Sequence, residues 1–220
     1  MIPLPFRIAV FPVTPYRQNC SLLWCADSRA AAVIDPGGGI DRILARAAAE
    51  GATIEKIFLT HGHLDHASGA ARLSRETGAP VEGPHADDSF LLSSLTDNRS
   101  IPGFEGAENV APARFLKDGD TVSFGAVAFE VLHCPGHTPG HVVYFHREGR
   151  IAFSGDVLFQ GSIGRTDFPG SSHPQLVESI VTKLWPLGDD VRFLPGHGPM
   201  SSFGAERRNN PFVGDFGPGD

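Results

Sequence analysis

Hydrophobic and polar positions fall into short apolar runs that alternate with segments of helical period. Residues 7–13, 21–25 and 31–34 read as strands. The third ends at Asp35-Pro36-Gly37-Gly38-Gly39, a cluster that breaks regular structure. In residues 40–50, Ile40, Ile43, Leu44 and Ala47 recur at helical spacing, Asp41 lies in the first turn and Gly51 supplies a stop. A strand is predicted at 56–60, an alanine-rich helix at 67–77 closed by Gly78, a short strand at 80–82 and a helical piece at 86–95. The second half repeats the alternation. Strands are predicted at 121–124, 126–132, 142–145, 151–153 and 191–194, with a helix at 174–185 whose first turn holds Pro174. Residues 96–114 carry Pro102, Gly103, Gly106 and Pro112 and read either as a flap beside a site or as a surface excursion. Residues 209–220, rich in glycine and proline, read as a loosely ordered tail. Strands-then-helix, twice over, predicts two mixed sheets packed face to face with helices outside. This is an α/β sandwich of four layers, αβ/βα, in one domain spanning residues 1–220.

Chemistry concentrates where the strands end. His61, His63, Asp65 and His66 fall within six residues, directly after the apolar run Ile57-Phe58-Leu59-Thr60. His137, Asp156 and His197 each follow another β-rich run, at 129–132, 151–154 and 191–194. Loops at one end of the strands build the site in sheets flanked by helices. Imidazole and carboxylate ligands suit zinc, iron and manganese alike. Alternate residues in extended backbone share a face, so His61 and His63 can point together while Asp65 and His66 turn to a neighbouring position. His61, His63 and His137 would hold one metal; Asp65, His66 and His197 would hold a second. Asp156 offers two oxygens as the bridge. Two cations about 4 Å apart acidify a shared water and polarise a carbonyl or phosphoryl oxygen.

The remaining histidines carry weaker signals. His141, four residues after His137, suits either a role orienting a ligand or a satisfied buried position. His133 reads as structural; His85, His146 and His173 read as solvated or capping. Cys20, Cys25 and Cys134 form an odd set without CxxC spacing, which argues against a disulfide framework and for buried thiols in a reducing compartment. The N-terminus has prolines where a signal peptide needs an unbroken apolar stretch, so the expected localisation is cytoplasmic. A net charge of -7 argues against nucleic acid or an anionic membrane as the main partner.

These residues resemble the metallo-β-lactamase superfamily. The likeness rests on His61-Gly62-His63-Leu64-Asp65-His66, Pro135-Gly136-His137-Thr138-Pro139-Gly140-His141, Ser154-Gly155-Asp156 and Pro195-Gly196-His197-Gly198. Asp35-Pro36-Gly37 resembles the early acidic turn whose aspartate supports the metal loops from outside. Within the superfamily the chain is similar to the glyoxalase II group, in particular its short, YcbL-like bacterial branch. Gly155-Asp156-Val157-Leu158-Phe159, Gly161 to Phe168 and Asn210-Pro211-Phe212 carry that similarity. β-Lactamases of the commonest zinc class are exported and place a cysteine where Asp156 stands.

The resemblance implies hydrolysis of a glutathione-type thioester such as lactoylglutathione. The chemistry would use a hydroxide bridging two divalent metals, zinc foremost, with Asp65 and Asp156 as the catalytic carboxylates. Arg165 sits where the family often places a basic residue near the thiol end of glutathione. Longer relatives add a helical domain with basic residues that hold glutathione. Here 23 residues follow His197, and Arg207 and Arg208, read as a solvated turn, are the basic ones among them. A weak grip on the peptide is expected. The run Gly164-Arg165-Thr166-Asp167-Phe168 also resembles persulfide dioxygenases, which use one iron held by two histidines and an aspartate; the complete second half-site argues against that reading. Phosphodiester hydrolysis stands third, against the acidic balance, and a non-enzymatic metal-binding or partner-binding module stands last.

Overall fold

The computed structural model describes residues 4–215. The first half builds a five-stranded sheet from β1 (Phe6–Val13), β2 (Gln18–Cys25), β3 (Ala30–Ile34), β4 (Thr53–Phe58) and β5 (Val81–Glu82), in that spatial order. β1, β2 and β3 pair antiparallel; β3, β4 and β5 pair parallel. Helix α1 (Ile40–Ala49) makes the crossover between β3 and β4. The second half builds a six-stranded sheet in the order β13-β12-β9-β8-β7-β6. Its strands are β6 (Thr121–Phe124), β7 (Val127–His133), β8 (Val142–His146), β9 (Ile151–Gly155), β12 (Arg192–Pro195) and β13 (Ser201–Ser202). Only β9 and β12 run parallel there, and their connection carries a short hairpin, β10 (Leu158–Phe159) with β11 (Ser162–Ile163), and helix α5 (His173–Ser179). Helix α6 (Phe203–Asn209) follows β13.

Strand periodicity divides the core into three apolar layers. Side chains alternate across a strand, so Ala32 and Ile34 of β3 face the second sheet while Ala31 and Val33 face the helices. In β8, Val142 and Tyr144 enter the layer between the sheets, whereas Val143 and Phe145 face the other way. The middle layer joins Phe6, Leu23 and Phe58 to Phe124, Phe129 and Phe153. One outer layer packs Leu22, Trp24 and Ile57 under α1; the other packs Phe145 and Phe193 under Leu176, Ile180, Trp185 and Phe203. The four-layer α/β sandwich is the one the sequence predicts.

Several details differ from the expectation. The helix expected at 67–77 is two pieces, α2 (Leu64–Ala67) and α3 (Ala70–Thr77). A Cβ on Gly69 would lie 2.5 Å from the Pro36 carbonyl oxygen, so the chain bends where it meets the Asp35 turn. The helix expected at 174–185 leaves α geometry after Ser179, passing into a π turn (Ile180–Leu184) and a 3-10 turn (Trp185–Leu187). Residues 86–95 form a 3-10 turn (Ala86–Asp88) and a single turn, α4 (Ser89–Leu92). Within 96–114, Phe104, Ala107 and Val110 are buried, and Phe104 lies against Tyr16 with ring centroids 5.4 Å apart. From 209 to 215 the chain is tied down rather than loose. Asn210 is fully buried and donates to the Ser162 carbonyl and to Glu206, each at 3.0 Å. The rest of the expected tail, 216–220, lies outside the described residues. Arg207 and Arg208 belong to the last turn of α6, paired with Asp215 and Asp189, rather than to a turn. All three cysteines are free and buried, and burial pushes the Cys134 thiol up to about 12.

Candidate metal centre

All seven predicted residues converge at one end of the two sheets. His61 and His63 leave β4, Asp65 and His66 sit in α2, His137 follows β7, Asp156 follows β9 and His197 follows β12. The Nδ1 atom of His63 lies 3.1 Å from His61 Nε2 and 3.0 Å from His137 Nε2. His197 Nε2 lies 3.1 Å from Asp65 Oδ2. Asp156 stands between the groups: Oδ1 is 3.3 Å from His66 Nε2, and Oδ2 is 3.6 Å from both His137 Nε2 and His197 Nε2. Three sets bring donor atoms close enough for one ion: His61, His63 and His137; His61, His66 and Asp156; and Asp65, His66 and His197.

The far sides of the rings decide which nitrogen is bare. Thr60 Oγ1 donates to Asp35 Oδ2 at 2.6 Å, so at 3.0 Å it accepts from His61 Nδ1. His66 Nδ1 donates to Asp35 Oδ2 at 2.9 Å. His137 Nδ1 donates to the Arg165 carbonyl at 2.8 Å, and His197 Nδ1 to the Tyr16 carbonyl at 3.1 Å. Each of these four rings therefore presents an Nε2 lone pair to the centre, the second-layer pattern that orients histidine toward a metal. His66 Nε2 and Asp156 Oδ1 are buried without a hydrogen-bond partner. A buried polar atom without a partner costs roughly 1–3 kcal/mol, and a cation would satisfy both. Nitrogen and carboxylate donors with no thiolate among them fit a catalytic divalent cation.

Charge agrees with that fit. Burial holds His61 well below the usual histidine range, lowers His63 to about 3 and lowers His137, so these rings are neutral donors. Burial also opposes charge on His66, but Asp156, Asp65 and Asp35 outweigh it and raise that ring well above its ordinary value. Burial pushes the Asp156 carboxyl up, yet His66, His137 and His197 outweigh it and hold the group below the carboxylate range. A proton on His66 occupies the same lone pair that a cation would take.

The loops are braced from behind by groups of uneven visibility in the sequence. Asp35, expected outside the centre, is buried and holds Thr60 and His66. His141 Nε2 accepts the Asp156 backbone N–H at 2.9 Å, which fixes His141 as a neutral ring behind the bridge. A Cβ on Gly196 would fall 2.1 Å from Asp156 Oδ1, so only glycine lets the β12 loop pass the carboxylate. Asn19 was not anticipated; its side chain donates to the Pro195 and Gly198 carbonyls and pins the His197 loop. Asp88 was also missed. Arg165 is exposed, pairs with Asp167 at 2.7 Å and lies over the Phe168 ring, which packs against His63. Away from the centre, His85 and His133 stack with centroids 4.2 Å apart, and Asp87 stands beside His85.

The fold and this constellation define a class. The sequence pattern of the metallo-beta-lactamase superfamily matches residues 13–197, and the chain belongs to that superfamily as a metallohydrolase. Hydroxyacylglutathione hydrolase GloC of Haemophilus influenzae is 43% identical over 208 residues, covering 94% of this chain and 98% of the relative. Among solved structures, the B3 metallo-beta-lactamase BLEG-1 superposes with a TM-score of 0.85 at 33% identity, over 94% of this chain and 99% of that one. TTHA1623 in a di-iron-bound form superposes at 0.80 with 37% identity, over 92% and 100%. Among the described residues no helix is long and apolar enough to cross a membrane.

Proposed function

We propose that this protein hydrolyses a glutathione-type thioester at two divalent cations that share Asp156. The observation that carries the reading is the position of that carboxylate, with one oxygen toward His66 and the other toward His137 and His197. His61, His63 and His137 would hold one cation; Asp65, His66 and His197 would hold the other. When bound, such a pair supplies an acidified water and a Lewis acid for the substrate carbonyl oxygen. Zinc is the first choice, and the donor set suits iron or manganese as well; the di-iron form of TTHA1623 supports two metals.

The chain's own residues set the geometry. The Nδ1 anchors at Thr60, Asp35, Arg165 and Tyr16 fix four rings in one tautomer each. His141 holds the Asp156 backbone, which keeps the shared carboxylate from rotating away. Asp65 stays ionised because His66 and His197 outweigh its burial, so its carboxylate can accept a proton within the centre. Phe168 shields His63 and His137 from bulk water. The leaving group is a thiol with pKa about 8.5, which departs as thiolate and asks for no separate acid. Arg165 would meet the thiol end of the glutathione portion, exchanging Asp167 for a peptide carbonyl of the substrate. The likeness to GloC supports the thioester assignment.

Steady-state hydrolysis of lactoylglutathione tests the reading, beside oxygen-electrode runs on glutathione persulfide and a chromogenic β-lactam assay. Thioester turnover in two-metal protein is the expected result. Oxygen uptake by protein carrying one iron, without thioester hydrolysis, transfers the assignment to a persulfide dioxygenase. β-Lactam turnover above thioester turnover transfers it to the activity named for BLEG-1.

A further inference from the structure

Asp88 is fully buried, yet it lies in a stretch whose sequence shows only a short helical piece. Its carboxylate joins two loops that are far apart in sequence. Oδ2 accepts the Gly62 backbone N–H at 2.9 Å and the Thr138 hydroxyl at 2.8 Å; Oδ1 accepts the Gly140 backbone N–H at 2.6 Å. Gly62 separates His61 from His63, and Thr138 follows His137. The backbone tightens the same seam, because His85 N–H donates to the Gly140 carbonyl at 3.0 Å. Space is as restricted as the hydrogen bonding. A Cβ on Gly140 would sit 2.6 Å from the Asp88 nitrogen and 2.7 Å from its carboxyl group. Burying a carboxylate without a cation is costly, and no Lys or Arg is paired with this one among the described residues. Three donors from two loops are what hold it there.

We propose that Asp88 is a positioning residue that clamps the His61–His63 loop to the His137 loop and so sets the all-nitrogen half-site. The inference rests on the metal-centre reading above. The braces divide unevenly: Asp35 stands behind both half-sites, through Thr60 to His61 and directly to His66, and Tyr16 and Asn19 brace His197, whereas Asp88 spans the loops that supply His61, His63 and His137. The clamp needs two acceptor oxygens. Asp88→Asn keeps the size but turns one oxygen into an NH2 group facing a backbone N–H, so one of the two loops loses its partner.

The test is a zinc titration against a chromophoric chelator, with the histidine ring resonances followed by NMR. Wild-type protein should take two equivalents. Asp88→Asn should lower affinity for one equivalent by roughly 10- to 100-fold, the usual scale for a contact behind a ligand. The His61, His63 and His137 resonances should then stay in their metal-free positions at zinc concentrations that shift His66 and His197 as in the wild type. A merely structural role would weaken both equivalents together, and that outcome overturns the proposal, as does unchanged affinity for both. Thr138→Val removes one of the three contacts with little change in volume, and decides the matter if Asp88→Asn does not fold. Its expected effect is a several-fold loss confined to the same equivalent, and unchanged affinity overturns the clamp. Wild-type protein that takes up no zinc at these rings defeats the metal-centre reading itself, a result distinct from either variant outcome.

Discussion

Two clusters in this molecule use the same residue types and come to different ends. At the strand exits, His61, His66, His137 and Asp156 are buried and His63, Asp65 and His197 half-buried, and four of the rings turn Nε2 inward because Nδ1 is spent on an oxygen behind. At the rim, His85, Asp87 and His133 also come within reach of one ion. There the rings stack nearly parallel, at 18°, so their in-plane lone pairs do not converge. His85 Nδ1 accepts the Asp87 backbone N–H at 3.3 Å, and His133 Nε2 donates to the Pro139 carbonyl at 2.9 Å. The rim group also stays partly exposed, where water competes for every donor. Residue type is shared; bracing, burial and ring orientation are not, and these make a strong cation site.

The contrast breaks most sharply at Asp156. Asp156→Ala should lose metal at both half-sites and nearly all turnover, well beyond the roughly 100-fold typical of contacts behind a ligand. Elemental analysis beside steady-state kinetics checks this; two retained metals would remove the sharing role. His141→Ala should cost roughly 10- to 100-fold in metal affinity, because it removes only the acceptor for the Asp156 backbone N–H. Chelator competition measures it, and a loss equal to that of Asp156→Ala would place His141 among the ligands.

Metal removal sharpens the same contrast through pH. Burial holds His61, His63, His137 and His141 below the ordinary histidine value. His66 and His197 lie above it, their facing carboxylates outweighing burial. A lowered histidine contributes stability that is present above its unfolded value, near 6.5, and is lost as pH falls toward the folded one. A raised histidine does the reverse. His133 and His146 are lowered too, so six lowered rings stand against two raised ones among the described residues, and metal-free protein should be less stable at pH 5.5 than at 7.5. Denaturant unfolding at the two pH values checks the sign, and a higher midpoint in acid would contradict it. The smallest effect belongs to the rim. His133→Ala should leave two tightly held metals and turnover within about twofold of wild type, since surface changes away from such sites are usually small. Loss of a metal equivalent would make the rim a site after all.

Much of this was legible in order along the chain. The helix expected at 40–50 forms almost to its ends, and the seven residues singled out by their place after apolar runs all come to one end of the sheets. The misses share a cause. The break at Ser68-Gly69 comes from the Pro36 carbonyl, some thirty residues earlier. Nothing local marks Asp88, because its three donors come from residues 62, 138 and 140. Asn19 was passed over at a strand start that the apolar pattern placed three residues too late. Arg165 was singled out for its guanidinium, while its backbone carbonyl orients His137.

By itself the sequence determined the periods of the strands and helices, and therefore the layers. It also determined which donors leave the strands at one end. Those are properties of spacing within a few residues, and period 2 or 3.6 carries them locally. Only the tertiary structure decided which nitrogen of each ring faces inward, that Asp88 joins Asp35 behind the loops, and why one histidine cluster converges and the other stacks. Each of those depends on a partner brought close by the packing of two sheets, and no local pattern encodes a contact between residue 62 and residue 88 or between 88 and 140.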